Sequence, residues 1–182
     1  MRNVILYIAV SLDGYIADGE GSVSFLDDFQ DEKVGDYGYQ DFLAEIDTCL
    51  MGSKTYKTIL DFGYPWPYPE QETYVITSNP QLKIDSPNTV RVTDNIGEVI
   101  QQLKEKKSDK NIWLVGGGQL VHYVLNANLL DQMVLSITPK ILGEGIRLFP
   151  EKSIGSTWEL THQKAFETGM MVLTYTKRKD GR

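Results

Sequence analysis

Cysteine and histidine are almost missing from this chain of 182 residues. Its one cysteine, Cys49, rules out an internal disulfide and points to a reducing compartment. Because it sits in the apolar run Thr48-Cys49-Leu50-Met51, it reads as a buried core thiol. The two histidines, His122 and His162, lie far apart, so neither a zinc site nor a catalytic triad has support. Positive charge is short as well. With 18 Lys and Arg against 25 Asp and Glu, the net charge is -7, which disfavours a protein that coats nucleic acid. The one basic cluster, Lys177, Arg178, Lys179 and Arg182, reads as a solvated tail over 177–182, after a single domain over 1–176. Long hydrophobic runs are missing too. Val4 to Val10 follows Met-Arg-Asn directly, is too short to span a bilayer and has no small-residue cleavage site behind it. It is expected to be a strand of a cytoplasmic protein. Repeats, low-complexity segments and linkers are not seen.

What is present is an alternating pattern, with 41% hydrophobic residues to fill one core. Strand-like runs fall near 3–10, 47–51, 73–77, 89–92, 111–115, 132–138, 157–166 and 170–177. Between them, 39–46, 54–61, 96–106 and 119–127 carry apolar residues at helical spacing, as in Ile96, Val99, Ile100 and Leu103. Strands separated by helices predict an α/β fold with a mostly parallel central sheet. The last two strands, joined at Thr168-Gly169, are expected to form an antiparallel hairpin at one edge.

In such a sheet, ligands collect beyond the carboxyl ends of the strands, so the residues that follow each strand carry the chemistry. Val115-Gly116-Gly117-Gly118-Gln119-Leu120 is a strand end, a tight turn and a helix start, a combination that admits close backbone approach and aims free N–H groups at a phosphate. It is not the dinucleotide fingerprint, because the third glycine of that motif is replaced by Val121. Gly52-Ser53-Lys54-Thr55 offers a helix cap at Ser53 together with amides, a hydroxyl and a charge, while Thr77-Ser78-Asn79-Pro80 offers small hydrogen-bonding side chains. Each alone reads more simply as a cap or a turn. Together they point to an extended phosphate-bearing ligand.

Four motifs in order then resemble one family. They are Ala9-Val10-Ser11-Leu12-Asp13-Gly14-Tyr15-Ile16-Ala17, Met51-Gly52-Ser53-Lys54-Thr55-Tyr56, Val115 to Gln119, and Leu129 through Gly145 to Leu148-Phe149-Pro150. Over nearly its whole length the chain resembles the dihydrofolate reductase-like superfamily, three-layer α/β/α, and most closely the RibD C-terminal domain, the reductase domain of bacterial riboflavin biosynthesis. The resemblance implies a homodimeric, NADPH-dependent reductase of a small pterin, pyrimidine or related heterocycle, similar to 5-amino-6-(5-phosphoribosylamino)uracil reductase. It places cofactor phosphates at Gly52, Ser53, Lys54, Thr55 and at Val115, Gly116, Gly117, Gly118, Gln119, Leu120. It puts Thr77 and Ser78 near the adenosine end, and Ala9 and Ile16 beside the nicotinamide.

Two positions depart from the riboflavin-pathway reductases: Tyr15 stands where they carry lysine and Gly116 where they carry glutamate. Both lost groups are of the kind that would hold a phosphoribosyl substrate. Three carboxylates are weak candidates for catalysis: Asp13 in the first turn, and Asp27 and Asp28 ahead of a long loop through Gly38. The rigid segment Phe62-Gly63-Tyr64-Pro65-Trp66-Pro67-Tyr68-Pro69 offers Trp66 and Tyr68 as a substrate wall or a dimer contact. Dimerisation would also cover an exposed edge strand near 132–138. Two other readings remain: a dimeric nucleotide-binding protein without turnover, and a structural partner whose glycines are only turns.

Overall fold

The computed structural model describes residues 1–150 and 152–178. Six strands run parallel: β1 (Val4–Val10), β3 (Ile46–Gly52), β4 (Glu72–Ile76), β5 (Thr89–Val92), β6 (Asn111–Gly116) and β7 (Gln132–Ile137). The antiparallel pair β9 (Trp158–Ala165) and β10 (Met171–Lys177) completes an eight-stranded sheet of order β5-β4-β3-β6-β1-β7-β10-β9. A separate two-stranded ribbon pairs β2 (Tyr15–Ala17) with β8 (Ile146–Arg147).

Alternation along the parallel strands feeds two cores. Leu6, Leu50, Ile112 and Leu114 face one side and pack against α3 (Ile96–Glu105) and α4 (Gly118–Asn126). Cys49, Met51, Val75 and Trp113 face the other and pack against α1 (Tyr39–Ala44) and α2 (Ser53–Asp61). A strand covered on both faces has no polar side to show, hence the nearly continuous apolar runs. Each fully buried aliphatic side chain contributes roughly 1.5–3 kcal/mol. Leu114, with no exposed surface, is among those at the centre.

The cysteine takes the place expected of it. Cys49 is fully buried, and burial pushes its thiol up to about 12. The native protein is therefore expected to resist a thiol reagent such as DTNB at pH 8 and to react only on unfolding, because the thiolate is the nucleophile. Labelling of the native protein at the rate of a free thiol would contradict this burial.

Three expectations need correction. The strand at 132–138 is not an edge: β7 lies between β1 and β10, and the edges are β5 and β9. Periodicity shows that a segment is a strand, but the order is set by the crossover through α4 and by where the hairpin adds, so this strand gives no argument for a dimer. Ser53 does not cap α2. Gly52 occupies the cap position in an extended conformation, without a side-chain capping bond. Lys177 is not part of a tail: it ends β10, bonds the Asn128 side chain and lies 5.7 Å from the centre of the Trp158 ring. Lys179 and Arg182 fall outside the described residues.

Candidate active site

The parallel neighbours β3 and β6 end side by side, and each runs straight into a helix of nine residues. Two helix N-termini are thereby brought together at the carboxyl ends of the strands, and the Gly117 amide links them by donating to the Thr55 hydroxyl at 2.9 Å. The glycines permit this approach. Gly116 holds φ +137°, which side chains rarely adopt, and a Cβ on Gly117 would stand 3.2 Å from Thr55 Oγ1. The first amides of each helix have no intrahelical acceptor, and the two dipoles add their positive ends at this point. Ser53 is half-buried here and Lys54 is exposed. Of the other residues picked out in sequence, Thr77 follows the next strand, β4, and is buried, with its hydroxyl accepting from the Asn79 amide at 3.1 Å; Ser78 is exposed. Gln119 is exposed, whereas the Val115 and Leu120 side chains pack into the two cores, which leaves only their backbone to a ligand. Convergent amides, a hydroxyl and one exposed lysine fit the phosphates of a dinucleotide.

The ribbon of β2 and β8 lies over the start of α4. A Cβ on Gly118 would meet Ile146 Cγ2 at 3.3 Å and Ile16 Cδ1 at 3.8 Å, so Ile16 does stand at the glycine turn. Asp13 holds this ribbon to the 139–145 loop. Its carboxylate accepts from the Ser11 hydroxyl at 2.6 Å and from the Leu142 and Gly143 amides at 3.1 and 2.7 Å. The Ser11 hydroxyl foremost, and then those amides, bring its pKa down to about 2. A carboxylate so held is ionised at neutral pH and anchors the loop.

Linkage gives this clamp a pH dependence. Since the folded pKa is depressed, its stabilising effect is complete above the unfolded value near 3.8 and is lost as the pH falls toward about 2. Hydrogen exchange at the Leu142 and Gly143 amides, corrected for intrinsic rates, is expected to lose protection across that window, and unchanged protection at pH 2 would count against the clamp.

On the α1 face a cleft of about 730 Å³ opens beside β1. Its floor is Ala9 and Ser136, paired across β1 and β7, and its walls include Tyr7, Tyr37, Tyr39, Phe29 and Met170. Tyr7 stacks on Phe42 at 4.4 Å, and Tyr37 donates to the Phe29 carbonyl at 2.5 Å. Burial raises the Tyr7 pKa; the Ser136 hydroxyl opposes that effect and the charge of Asp36 adds to it. Tyr7 thus gives the cleft wall a neutral hydroxyl. Ala9, near the carboxyl end of β1, lines the cleft, and β1 lies directly beside β6.

The carboxylates of the cleft are not those picked out in sequence. Asp27 and Asp28 sit exposed on a 3-10 turn, Asp28 paired with Lys140 at 2.5 Å, and neither lines the cleft. Asp31, Glu32 and Asp36 do, from the segment that reads in sequence only as a long loop. The signal that could have found them is Gly35-Asp36-Tyr37-Gly38-Tyr39, an acid and two aromatics among glycines just ahead of a helix. Asp36 starts that helix by accepting from the Gly38 and Gln40 amides at 3.0 and 2.7 Å.

Trp66 and Tyr68 do not wall the cleft either. They pack in the second core, with Trp66 5.5 Å from Tyr56 and Tyr68 5.3 Å from Trp113, ring centre to ring centre. Tyr68 and Tyr39 both pack edge-on against Trp113, so Tyr68 supports the cleft from behind. Stiff aromatic loops supply large apolar faces, and here the chain spends them on its own interior.

The model of the RibD C-terminal domain family matches residues 2–172. The Bacillus subtilis (strain 168) protein YwjB, itself uncharacterized, is 36% identical over 165 residues, which cover 91% of this chain and 92% of that protein. A crystal structure of a candidate riboflavin biosynthesis protein from Shewanella sp. PV-4 superimposes with a TM-score of 0.83 at 27% identity, covering 98% of this chain and 100% of that one. Dihydrofolate reductase of Enterococcus faecalis, solved in complex with NADP(H), shares the fold at a TM-score of 0.67 and 17% identity, with 97% of each chain covered. The expected fold, α/β with a mostly parallel sheet and an antiparallel C-terminal pair, is the one these structures have in common.

Proposed function

The chain belongs to the RibD C-terminal domain family, and from that membership we propose that it is an NADPH-dependent reductase of a small pterin, pyrimidine or related heterocycle. The observation that carries this reading is that a cradle formed by two helix N-termini stands at the carboxyl ends of β3 and β6, while the neighbouring strand β1 lends Ala9 to a cleft with flat aromatic walls. NADPH would supply the hydride. The turns Gly52 to Thr55 and Gly116 to Leu120 would hold its phosphates through Lys54 and the helix-start amides, apart from those of Gly117 and Leu120, which are engaged within the protein, with Thr77 and Ser78 toward the adenosine end. Ala9 and Ile16 would form an apolar wall that orients the ring and excludes water. The Tyr7 hydroxyl, kept neutral by burial, would donate a hydrogen bond to the bound heterocycle.

The reading is tested by loss of NADPH absorbance at 340 nm with dihydrofolate, a dihydropteridine and the riboflavin-pathway pyrimidine offered in turn. Oxidation that depends on one of these substrates is expected. Binding of NADPH without turnover on any would favour a nucleotide-binding protein without catalysis. Size-exclusion chromatography with light scattering tests the homodimer that the family resemblance implies.

A further inference from the structure

We infer that residues 30–38 form a lid over the cleft, held shut by one latch, the hydrogen bond between the Tyr37 and Thr168 hydroxyls, and that the cleft opens there to admit and release its occupant. That the occupant is a substrate rests on the reductase reading; the lid itself does not.

The segment has little else to hold it. Among the described residues, every other hydrogen bond made by 30–38 stays between Asp27 and Phe42, and none of its charged side chains, Asp31, Glu32, Lys33 and Asp36, forms an ion pair. No strand pairing crosses it either. Together with Phe29 it nevertheless supplies more than half of the residues that line the cleft, over the floor of Ala9 and Ser136 on the sheet. Local bonding with one tie to the rest of the fold marks a segment that opens as a unit.

One end of the segment is built to turn. Gly35 and Gly38 hold φ +75° and +88°, and a Cβ on either would meet nothing within 4 Å, so glycine stands there for its backbone and not to make room for a neighbour. Between them Tyr37 holds φ +58°, a conformation that is strained for a bulky side chain. The side chain is what keeps it there. Its ring packs edge-on against Phe166 at 4.8 Å, and its hydroxyl, which donates to the Phe29 carbonyl, is hydrogen-bonded to the Thr168 hydroxyl at 3.1 Å. The post it reaches is rigid. Thr168 lies in the turn between β9 and β10, where the Gly169 amide donates to the Phe166 carbonyl and the Phe166 amide to the Met170 carbonyl, both at 2.9 Å. A Cβ on Gly169 would meet Pro139 Cγ at 3.1 Å, so the turn also rests on the 139–145 loop. Met170, in the same turn, lines the cleft. Breaking the latch therefore parts the lid from the cleft wall where the two meet, and lets the Tyr37 backbone relax.

The test uses spin labels on the full chain at Lys33→Cys, in the lid, and at Gln163→Cys, exposed on β9, with Cys49 left unlabelled by its burial. Pulsed dipolar spectroscopy is expected to give one narrow distance in the labelled parent. Thr168→Val and Tyr37→Phe each remove one hydroxyl of the latch and keep the bulk of the side chain. Each should raise the longer-distance fraction about fivefold, the weight of one hydrogen bond. The double variant should do no more than Tyr37→Phe alone, since both substitutions break the same bond. Distances unchanged in both single variants, effects that add in the double variant, or a parent already as broad as its variants would overturn the inference. Labels that separate as expected, with no NADPH oxidation on any substrate offered, would sink the reductase reading and leave the lid standing.

Discussion

Gly117→Asp is expected to weaken NADPH binding by at least about a hundredfold, some 2.7 kcal/mol, while the protein stays folded. The position is tight for a side chain. A Cβ would stand 3.2 Å from Thr55 Oγ1, the atom that accepts the Gly117 amide and links the two helix N-termini. Thr55 would have to give way, which separates the donors that are meant to converge, and the new carboxylate would add a negative charge where phosphates are to sit. The hydrophobic cores are not touched, so far-UV circular dichroism and the melting temperature should change little. Calorimetric titration with NADPH reads the effect, and binding equal to that of the parent would mean that the cradle is not the cofactor site.

The largest loss of stability from a single methyl group is expected at Gly145→Ala. An added Cβ would fall 2.2 Å from the Ala17 carbonyl oxygen and 3.1 Å from the Asp18 Cα, at a φ of +143°. These neighbours are backbone, so no side chain can rotate away. Strain at a positive φ and forced overpacking sum to roughly 3–5 kcal/mol, or a melting temperature lower by roughly 10 °C. The ribbon pairing Ala17 with Ile146 would be pushed off the glycine turn. Gly143→Ala is the control, since its Cβ meets nothing within 4 Å and only the φ of +80° is strained. Scanning calorimetry should rank Gly145→Ala well below Gly143→Ala, and equal melting temperatures would show that the close approach is not real.

The fold was largely legible in the sequence because its signals are local. Strands such as Val4–Val10 and Asn111–Gly116 are short apolar runs ended by turn residues, and α3 carries Ile96, Val99, Ile100 and Leu103 at helical spacing. The ribbon of β2 and β8 was missed, since three residues and two make no periodic pattern and the pairing joins segments well over a hundred residues apart. Strand order was missed for the same reason at 132–138, where nothing local records which neighbours a strand will have.

The two halves of the site differed in the same way. That the glycine turn and Gly52 to Thr55 meet could be read because such a junction is built from backbone at the ends of strands, where the chain shows glycine. The cleft could not, because its carboxylates come from a loop with no period, and an acid at a rim looks in sequence like any solvated acid. Trp66 and Tyr68 fail by the converse, for an aromatic residue looks alike whether it faces a ligand or Trp113.

The proposed function requires a pyridine nucleotide to lie across the ends of β3 and β6. It is tested most directly by calorimetric titration of the unmodified protein with NADPH and, separately, with NADH. Saturable binding of one NADPH per chain, tighter than that of NADH, is the result expected. If neither nucleotide binds, the glycines serve only to pack Thr55 and the ribbon together, and the reductase reading is wrong.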